Sequence, residues 1–409
     1  MVVCRRARDR AGLDALGLAY IARSRCGGGR LSASLDPALA RKERELRITF
    51  LLPSGAPRPT GGYKVVYEYA NALAARGHAV TVVHSAYMPA EGIGRGRALR
   101  SQLLGFPLKG LVGAWRPDRW FRVDPRVRLS WIPSLKSWLV PDGDAIFATW
   151  WQTAETLAAW PARKGRKFYL VQHLETWGGP EARVMATWRL PLTKIVISRW
   201  LEDIGRELGE HCHYVPNGLD FQAFGIDNDP AGRPPGSVAM LYHPQPWKGS
   251  QDGLEALQLA RRELPNLRVE LFGATAAPPG LPDWIAYHQN LPQPALRAVY
   301  NRAAIFVGPS WTEGWGLPPC EAMMCGCALA CTDIDGHREF ARHADTALMS
   351  PPRDPVALAR NIIRLATDDD LRARLAARGH EFVQQFTWQR AADALERVVT
   401  DAVRTAPVG

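Results

Sequence analysis

No stretch of the chain approaches the ~18–20 uninterrupted apolar residues that a membrane-spanning helix needs, so no such anchor is expected. No secretory leader is expected either. The N-terminus is basic, MVVCRRARDR, but the AGLDALGLAYIA that follows carries an aspartate and no convincing cleavage site. Cysteine is sparse and odd in number, seven in 409 residues. That argues against a disulfide framework and for a reducing cytoplasm. No internal repeat or low-complexity tract stands out, so nothing suggests a repeat array. Acidic residues are short in the first half: residues 1–225 hold 33 Lys and Arg against 19 Asp and Glu, whereas 226–409 hold 18 against 21. Such asymmetry points the first half toward an anionic partner: nucleic acid, a membrane surface or a phosphate-bearing substrate.

What the chain does have is the composition of a folded protein with 46% hydrophobic and 22% charged residues. Its length suits two domains of roughly 150–200 residues each. Residues 1–45, with RCGGGR, show no sustained periodicity and read as a basic tail. The fold begins with LRITFLLP (46–53), an apolar run of strand length. After a loop holding Gly61 and Gly62, apolar residues at Val65, Val66, Tyr69, Ala70 and Leu73 predict a helix that Gly77 ends. HAVTVVHS is the next strand. Strand, glycine loop, helix and strand open a doubly wound α/β unit. Further strands are expected at 144–149, 167–172, 194–198 and 212–215, giving a first domain at 46–222. The Gly-, Pro-, Asp- and Asn-rich stretch after it supplies a linker at 223–236. A second strand series at 237–243, 267–274, 304–310 and 327–333 marks a second domain at 237–388. Two such units leave a cleft between them, and open parallel sheets bind ligands outside the carboxyl ends of their strands.

The stretch PSWTEGWGLPPCEAMMCGCALACTD (309–333) concentrates the chemistry. Glu313 falls just past an apolar strand, and Gly314 and Gly316 permit close backbone approach. Pro318 and Pro319 suit a first helical turn, whose free N–H groups favour an anion. Glu321, one turn into that helix, is placed to accept from a sugar hydroxyl. A structural capping carboxylate is the plainer reading of either glutamate alone, though not of the pair. Cys320, Cys325, Cys327 and Cys331 invite a metal reading, but their spacing matches no usual zinc pattern and packing as small hydrophobes suits them better. Asp-x-Asp at 142–144 and 333–335 flanks strands and reads as loop sequence. Ten of the 15 tryptophans fall between 115 and 200, interleaved with arginine. They form either a core beneath a basic face, or a docking surface for a membrane or a lipid-diphosphate acceptor. No nucleic-acid recognition motif accompanies the charge, so nucleic acid is not an expected partner.

Glu313 and Glu321, spaced E-x7-E around GWGLP, resemble the signature of retaining glycosyltransferases of family 4. These have the GT-B fold, two doubly wound Rossmann-like domains facing across a cleft. TGGYKVVYEYANALAARGHAVTVV, VPNGLDFQAF, WKGSQDGLEAL, DIDGHREF and FTWQRAADALERVV resemble the family's other motifs in order, so the likeness runs over most of residues 46–400. It implies transfer of a sugar from a nucleotide-sugar donor to a glycan or lipid-linked acceptor, in surface polysaccharide or glycan biosynthesis. The implied catalytic set is Glu313 on the donor sugar, Lys248 neutralising the diphosphate, and His173 beside the sugar. Glu321 would take the ribose. Gly61, Gly62, His243, Gly314, Trp315, Gly316, Leu317 and Asn217 would complete the donor site, with Tyr287 and His288 lining the base pocket from a loop after LPDWIA. Residues 389–409 would form a terminal helix packing back toward the first domain. Neither a cofactor nor a metal is implied, the nucleotide-sugar being a co-substrate. Two positions depart from the pattern: His243 stands where the family commonly has Arg, and Asp335 where it has Gly. Histidine offers less certain charge and no planar fork. This keeps open a non-catalytic partner subunit of the same fold, while an epimerase or phosphorylase accounts for E-x7-E less well. The expected setting is cytoplasmic, with peripheral contact between the basic first domain and an anionic membrane.

Overall fold

The computed structural model describes residues 45–88 and 106–405. The expected basic tail, up to residue 44, lies outside the described residues. Strand β1 (Arg47–Leu52) is buried at every position after its first. It shows no alternation because both faces of an interior parallel strand are covered. Helix α1 (Gly61–Ala75) buries Val65, Val66, Tyr69, Ala70 and Leu73, the stripe its spacing predicts. β2 (Ala79–Tyr87) then returns parallel to β1, with Phe50 opposite Val82.

The strands β3 (Arg128–Ser134), β4 (Ala145–Ala148), β5 (Arg166–Val171), β6 (Thr193–Val196) and β7 (Cys212–Tyr214) complete a seven-stranded parallel sheet of order β3-β2-β1-β4-β5-β6-β7. The helices α2 (Phe106–Leu111), α3 (Trp151–Ala158), α4 (Glu181–Thr187) and α5 (Arg199–Glu207) lie between its strands in sequence. A second parallel sheet has the order β10-β9-β8-β11-β12-β13. It is built from β8 (Ser237–Leu241), β9 (Arg268–Gly273), β10 (Ile285–Gln289), β11 (Ile305–Gly308), β12 (Ala328–Thr332) and β13 (Leu348–Ser350). With it go α6 (Ser250–Glu263), α7 (Gln293–Arg302), α8 (Leu317–Met324), α9 (Pro355–Thr367) and α10 (Asp369–Val383). The expected strands are all present; β3, β10 and β13 are additional. Each is a sheet edge, where one side faces no partner strand and polar residues are tolerated, so no apolar run announces them.

The buried apolar cluster of the first sheet continues across the seam through Trp315, Cys320, Phe340 and Phe386. A second cluster fills the far side of the second sheet around Val238, Leu257 and Ile362. Helix α11 (Trp388–Arg404) crosses back to α1. Arg76 pairs there with Asp393 at 2.6 Å and Glu396 at 2.5 Å, and the Trp388 ring meets Tyr69 edge-on at 5.4 Å. The stretch read as a linker is tied down by Arg233, a buried guanidinium that donates to the carbonyls of Ala303 (2.9 Å), Asn228 (3.0 Å) and Cys325 (2.7 Å).

Candidate functional site

The site assembles where the carboxyl ends of the two sheets face each other. From the second sheet, β11 runs into the loop that carries Glu313, and α8 begins at Leu317 with Pro318 in its first turn. Lys248 ends a single 3-10 turn immediately before α6. The residue after it, Gly249, has φ 62°, and a Cβ there would sit 1.9 Å from the Pro309 carbonyl oxygen. Only glycine lets the two loops approach this closely. The result is a tight ion pair, with Lys248 Nζ 2.7 and 2.8 Å from the two oxygens of Glu313 and Ser310 Oγ donating to the same carboxylate at 2.9 Å. Burial raises the Glu313 pKa, but Lys248 and the hydrogen bonds outweigh it and hold the carboxylate below its ordinary value. His243 lies in the same field. Burial and the Lys248 charge lower its pKa, so it adds no firm cation.

From the first sheet, α1 presents Gly61 and Gly62 at its N-terminus. Gly61 lies against Leu317 of α8, so two helix N-termini meet across the gap. Lys64, one turn into α1, reaches Glu321, one turn into α8, at 2.8 Å. Tyr300 of α7 donates to the other oxygen of Glu321 at 3.3 Å. Past the end of β5, the Gln172 amide donates to the Gly62 carbonyl at 3.2 Å. A Cβ on Gly314 would lie only 1.8 Å from the Gln172 carbonyl oxygen, which makes glycine obligatory at this domain contact. His173 follows, its ring edge-on to Trp200 and Trp177. Its Nδ1 accepts from the Glu175 backbone N–H at 3.4 Å, which leaves the proton on Nε2, 3.5 Å from Thr312 Oγ1. Burial pushes the His173 pKa down to about 4, so the ring is a neutral donor facing the Lys248–Glu313 pair.

Residues 237–382, which contain Lys248, Glu313 and Glu321, match the family model "Glycosyl transferases group 1". The second domain carries the group 1 glycosyl transferase match. It is 36% identical over 106 residues to an O-antigen chain mannosyltransferase B of Escherichia coli, covering 26% of this chain and 27% of that relative. It is 29% identical over 187 residues to a D-inositol 3-phosphate glycosyltransferase of Thermobispora bispora, covering 40% and 44%. The chain therefore spans less than half the length of either. A phosphatidyl-myo-inositol mannosyltransferase of Mycobacterium leprae aligns over 86% of this chain and 96% of its own length at 24% identity. Among solved structures, sucrose-phosphate synthase from Thermosynechococcus elongatus superimposes with a TM-score of 0.65 at 19% identity, over 89% of this chain and all of that one. HepE of Anabaena, solved with UDP-glucose, also gives 0.65, at 15% identity over 87% of this chain. The fold is GT-B.

The expected site residues divide into four groups. Glu313, Lys248, His173, His243, Glu321, Gly61, Gly62, Gly314, Gly316 and Leu317 converge at the gap between the sheets. Trp315 does not offer its ring there: the indole is buried, edge-on to Phe386 at 5.0 Å, so only its backbone is left to face a donor. Tyr287 and His288 lie on the edge strand β10 rather than in a loop. The Tyr287 hydroxyl donates to the Thr275 carbonyl, and its ring meets Tyr242 beside His243. His288 is committed to Glu270 at 2.8 Å, which also pairs with Arg302 at 2.6 Å. Asn217 belongs to a different crossing between the domains. It is buried, lines a cavity with Arg199, Arg338 and Phe386, and precedes Leu219, whose N–H donates to the Phe386 carbonyl at 2.9 Å.

The clustered cysteines are core residues. The thiol of Cys327 donates to the Tyr300 and Ala303 carbonyls, and burial pushes its pKa up to about 12. The aspartates of both Asp-x-Asp sequences sit in ion pairs: Asp142 with Lys164, Asp144 with Arg47, and Asp333 and Asp335 with Arg338. The sequence reading missed Lys64, Gln172, Trp200 and Tyr300.

Proposed function

We propose that the chain moves a sugar from a nucleotide-sugar donor to a glycan or lipid-linked acceptor, with retention of anomeric configuration. The observation that carries this reading is the meeting of Lys248, Glu313, His173 and Glu321 at the gap where two helix N-termini face each other. As the bond between the sugar and the diphosphate breaks, negative charge accumulates on the leaving oxygen. A fixed ammonium and free helix N–H groups stabilise that state more than the ground state. The sugar gains oxocarbenium character at the same moment. A neutral His173 can hold a sugar hydroxyl through Nε2–H without placing positive charge beside that centre. Glu321 is positioned to accept from ribose hydroxyls, and closure of the cleft would exclude water from the reacting carbon.

The nucleotide-sugar reading is supported by the UDP-glucose complex of HepE. The acceptor class is supported by relatives named for phosphatidyl-myo-inositol and for an O-antigen chain. The test is a donor screen. The purified protein is first examined by thermal shift with UDP-, GDP- and dTDP-sugars, then by NMR for consumption of the donor it binds, with and without acceptor. Consumption with an unchanged anomeric coupling in the product supports the reading. A protein that binds a donor yet never consumes it would instead be a non-catalytic subunit.

A further inference from the structure

Both lysines of the cleft are paired before any donor enters, and Glu68 and Asp220 add carboxylates near Lys64. Lys248 is matched by Glu313 and Lys64 by Glu321, each pair within 2.8 Å. His173 and His243 contribute no firm charge, because burial keeps both rings neutral. A nucleotide-sugar brings a diphosphate of about two negative charges, and charge is tolerated in a buried site only when it is paired. Lys248 alone leaves one of these charges to other groups.

We infer that Lys64 is the second cation of the donor site, binding the diphosphate from the opposite domain while it keeps its contact with Glu321. The inference rests on the donor reading above, and three observations support it. Lys64 and Glu321 each stand one turn in from a helix N-terminus, and those two termini, at Gly61 and Leu317, face the same gap. A phosphate bound between them would lie within reach of both side chains. The ammonium has three N–H donors, and the Glu321 contact at 2.8 Å uses one. Glu321 meanwhile has lone pairs free for ribose hydroxyls, since Lys64 takes only Oε1 and Tyr300 only Oε2. The partly buried setting of Lys64, with the Phe224 ring 5.5 Å away, reduces screening by water and strengthens the interaction.

The experiment compares nucleoside diphosphates with the matching nucleosides by calorimetry, using UDP and uridine, GDP and guanosine, and dTDP and thymidine. The variants are Lys64→Met and Lys64→Arg, with near-UV circular dichroism as the check on folding. For the pair that the wild type binds, Lys64→Met should weaken the diphosphate about 10- to 100-fold, as expected for a lost charge-assisted contact. The nucleoside should change less than about threefold on the same basis. Lys64→Arg, which keeps the charge, should recover most of the affinity and serves as the folded comparison if Lys64→Met is unstable. Equal weakening of diphosphate and nucleoside would mean that Lys64 acts only by positioning Glu321, and would overturn the inference. Unchanged diphosphate affinity in Lys64→Met, or an Arg variant as weak as the Met variant, would also overturn it. A wild type that binds none of the three diphosphates would overturn the donor reading itself.

Discussion

Lys248 meets both oxygens of Glu313, so this carboxylate is charged and satisfied before substrate arrives. Removing either partner leaves the other buried without compensation. Lys248→Ala should lower kcat/KM about 30- to 1,000-fold, the range expected when a charge-assisted contact made chiefly in the transition state is lost. Glu321→Ala should lower it by a similar factor of about 30 or more, through lost donor binding and an unpaired Lys64. Both variants should keep the wild-type circular dichroism spectrum, and near-normal turnover in either folded variant would remove its assignment. Glu175 gives a prediction of another kind. It is buried at φ 61° and accepts from the Trp151 N–H at 2.8 Å, and burial pushes its pKa up to about 8. Between the ordinary carboxylate value and 8, the folded state holds a proton that the unfolded chain releases. Stability from this group is therefore full at low pH and is lost as pH rises from about 4.5 to 8. Glu175→Gln, neutral throughout, should match wild type in denaturant melts near pH 5 and exceed it at pH 8. Equal pH slopes in the two proteins would refute this account.

At the scale of elements, what the sequence disclosed depended on how local the signal was. β1, α1, β11 and α8 were legible because each carries its own apolar run or helical spacing. Glu313, Glu321 and Lys248 were legible because each lies in a short motif beside a strand end. Lys64 was not, because its role depends on Glu321, 257 residues away in the chain, and helical spacing says nothing of what a polar face will meet. Trp200 escaped for the same reason: its indole donates to the Gly314 carbonyl at 3.2 Å across the domain contact. The linker stretch held back a contact in another way. Its Gly, Pro, Asp and Asn content suggested a linker and gave no sign that Arg233 fastens it to the second domain through the Ala303 and Cys325 carbonyls, while also holding the Asn228 carbonyl within the stretch. Arg233→Met should cost about 2–4 kcal/mol, since several buried acceptors lose a charged donor together. A chemical denaturation midpoint equal to wild type would show that the strap is dispensable.

At the scale of the whole molecule, the basic aromatic region separates into parts with different work. Trp115, Trp151, Trp160 and Trp188 are buried, and Trp177 and Trp200 flank His173 in the cleft. The excess of aromatics is thus largely core and site. Exposed apolar surface remains at α2 and just beyond it, where Leu108 and Val112 are each 64% exposed and Leu111 is 87% exposed, with Lys109 among them. Arg116, Arg119 and Arg122 follow closely, Arg116 already paired with Asp118 at 2.6 Å. Among the described residues no helix is long and apolar enough to cross a membrane, so attachment through this segment would be peripheral. Each exposed Lys or Arg adds about 1 kcal/mol near an anionic surface, and salt screens it within roughly 8–10 Å. A few such charges with two or three inserted aliphatic side chains give reversible binding. The protein is therefore expected to co-sediment with phosphatidylglycerol vesicles at low salt and to leave them as salt rises. Leu111→Glu combined with Arg119→Glu and Arg122→Glu should abolish that binding while turnover of a water-soluble acceptor changes little. If the wild type ignores anionic vesicles even at low ionic strength, the segment is an ordinary solvated surface and a membrane-borne acceptor loses its support.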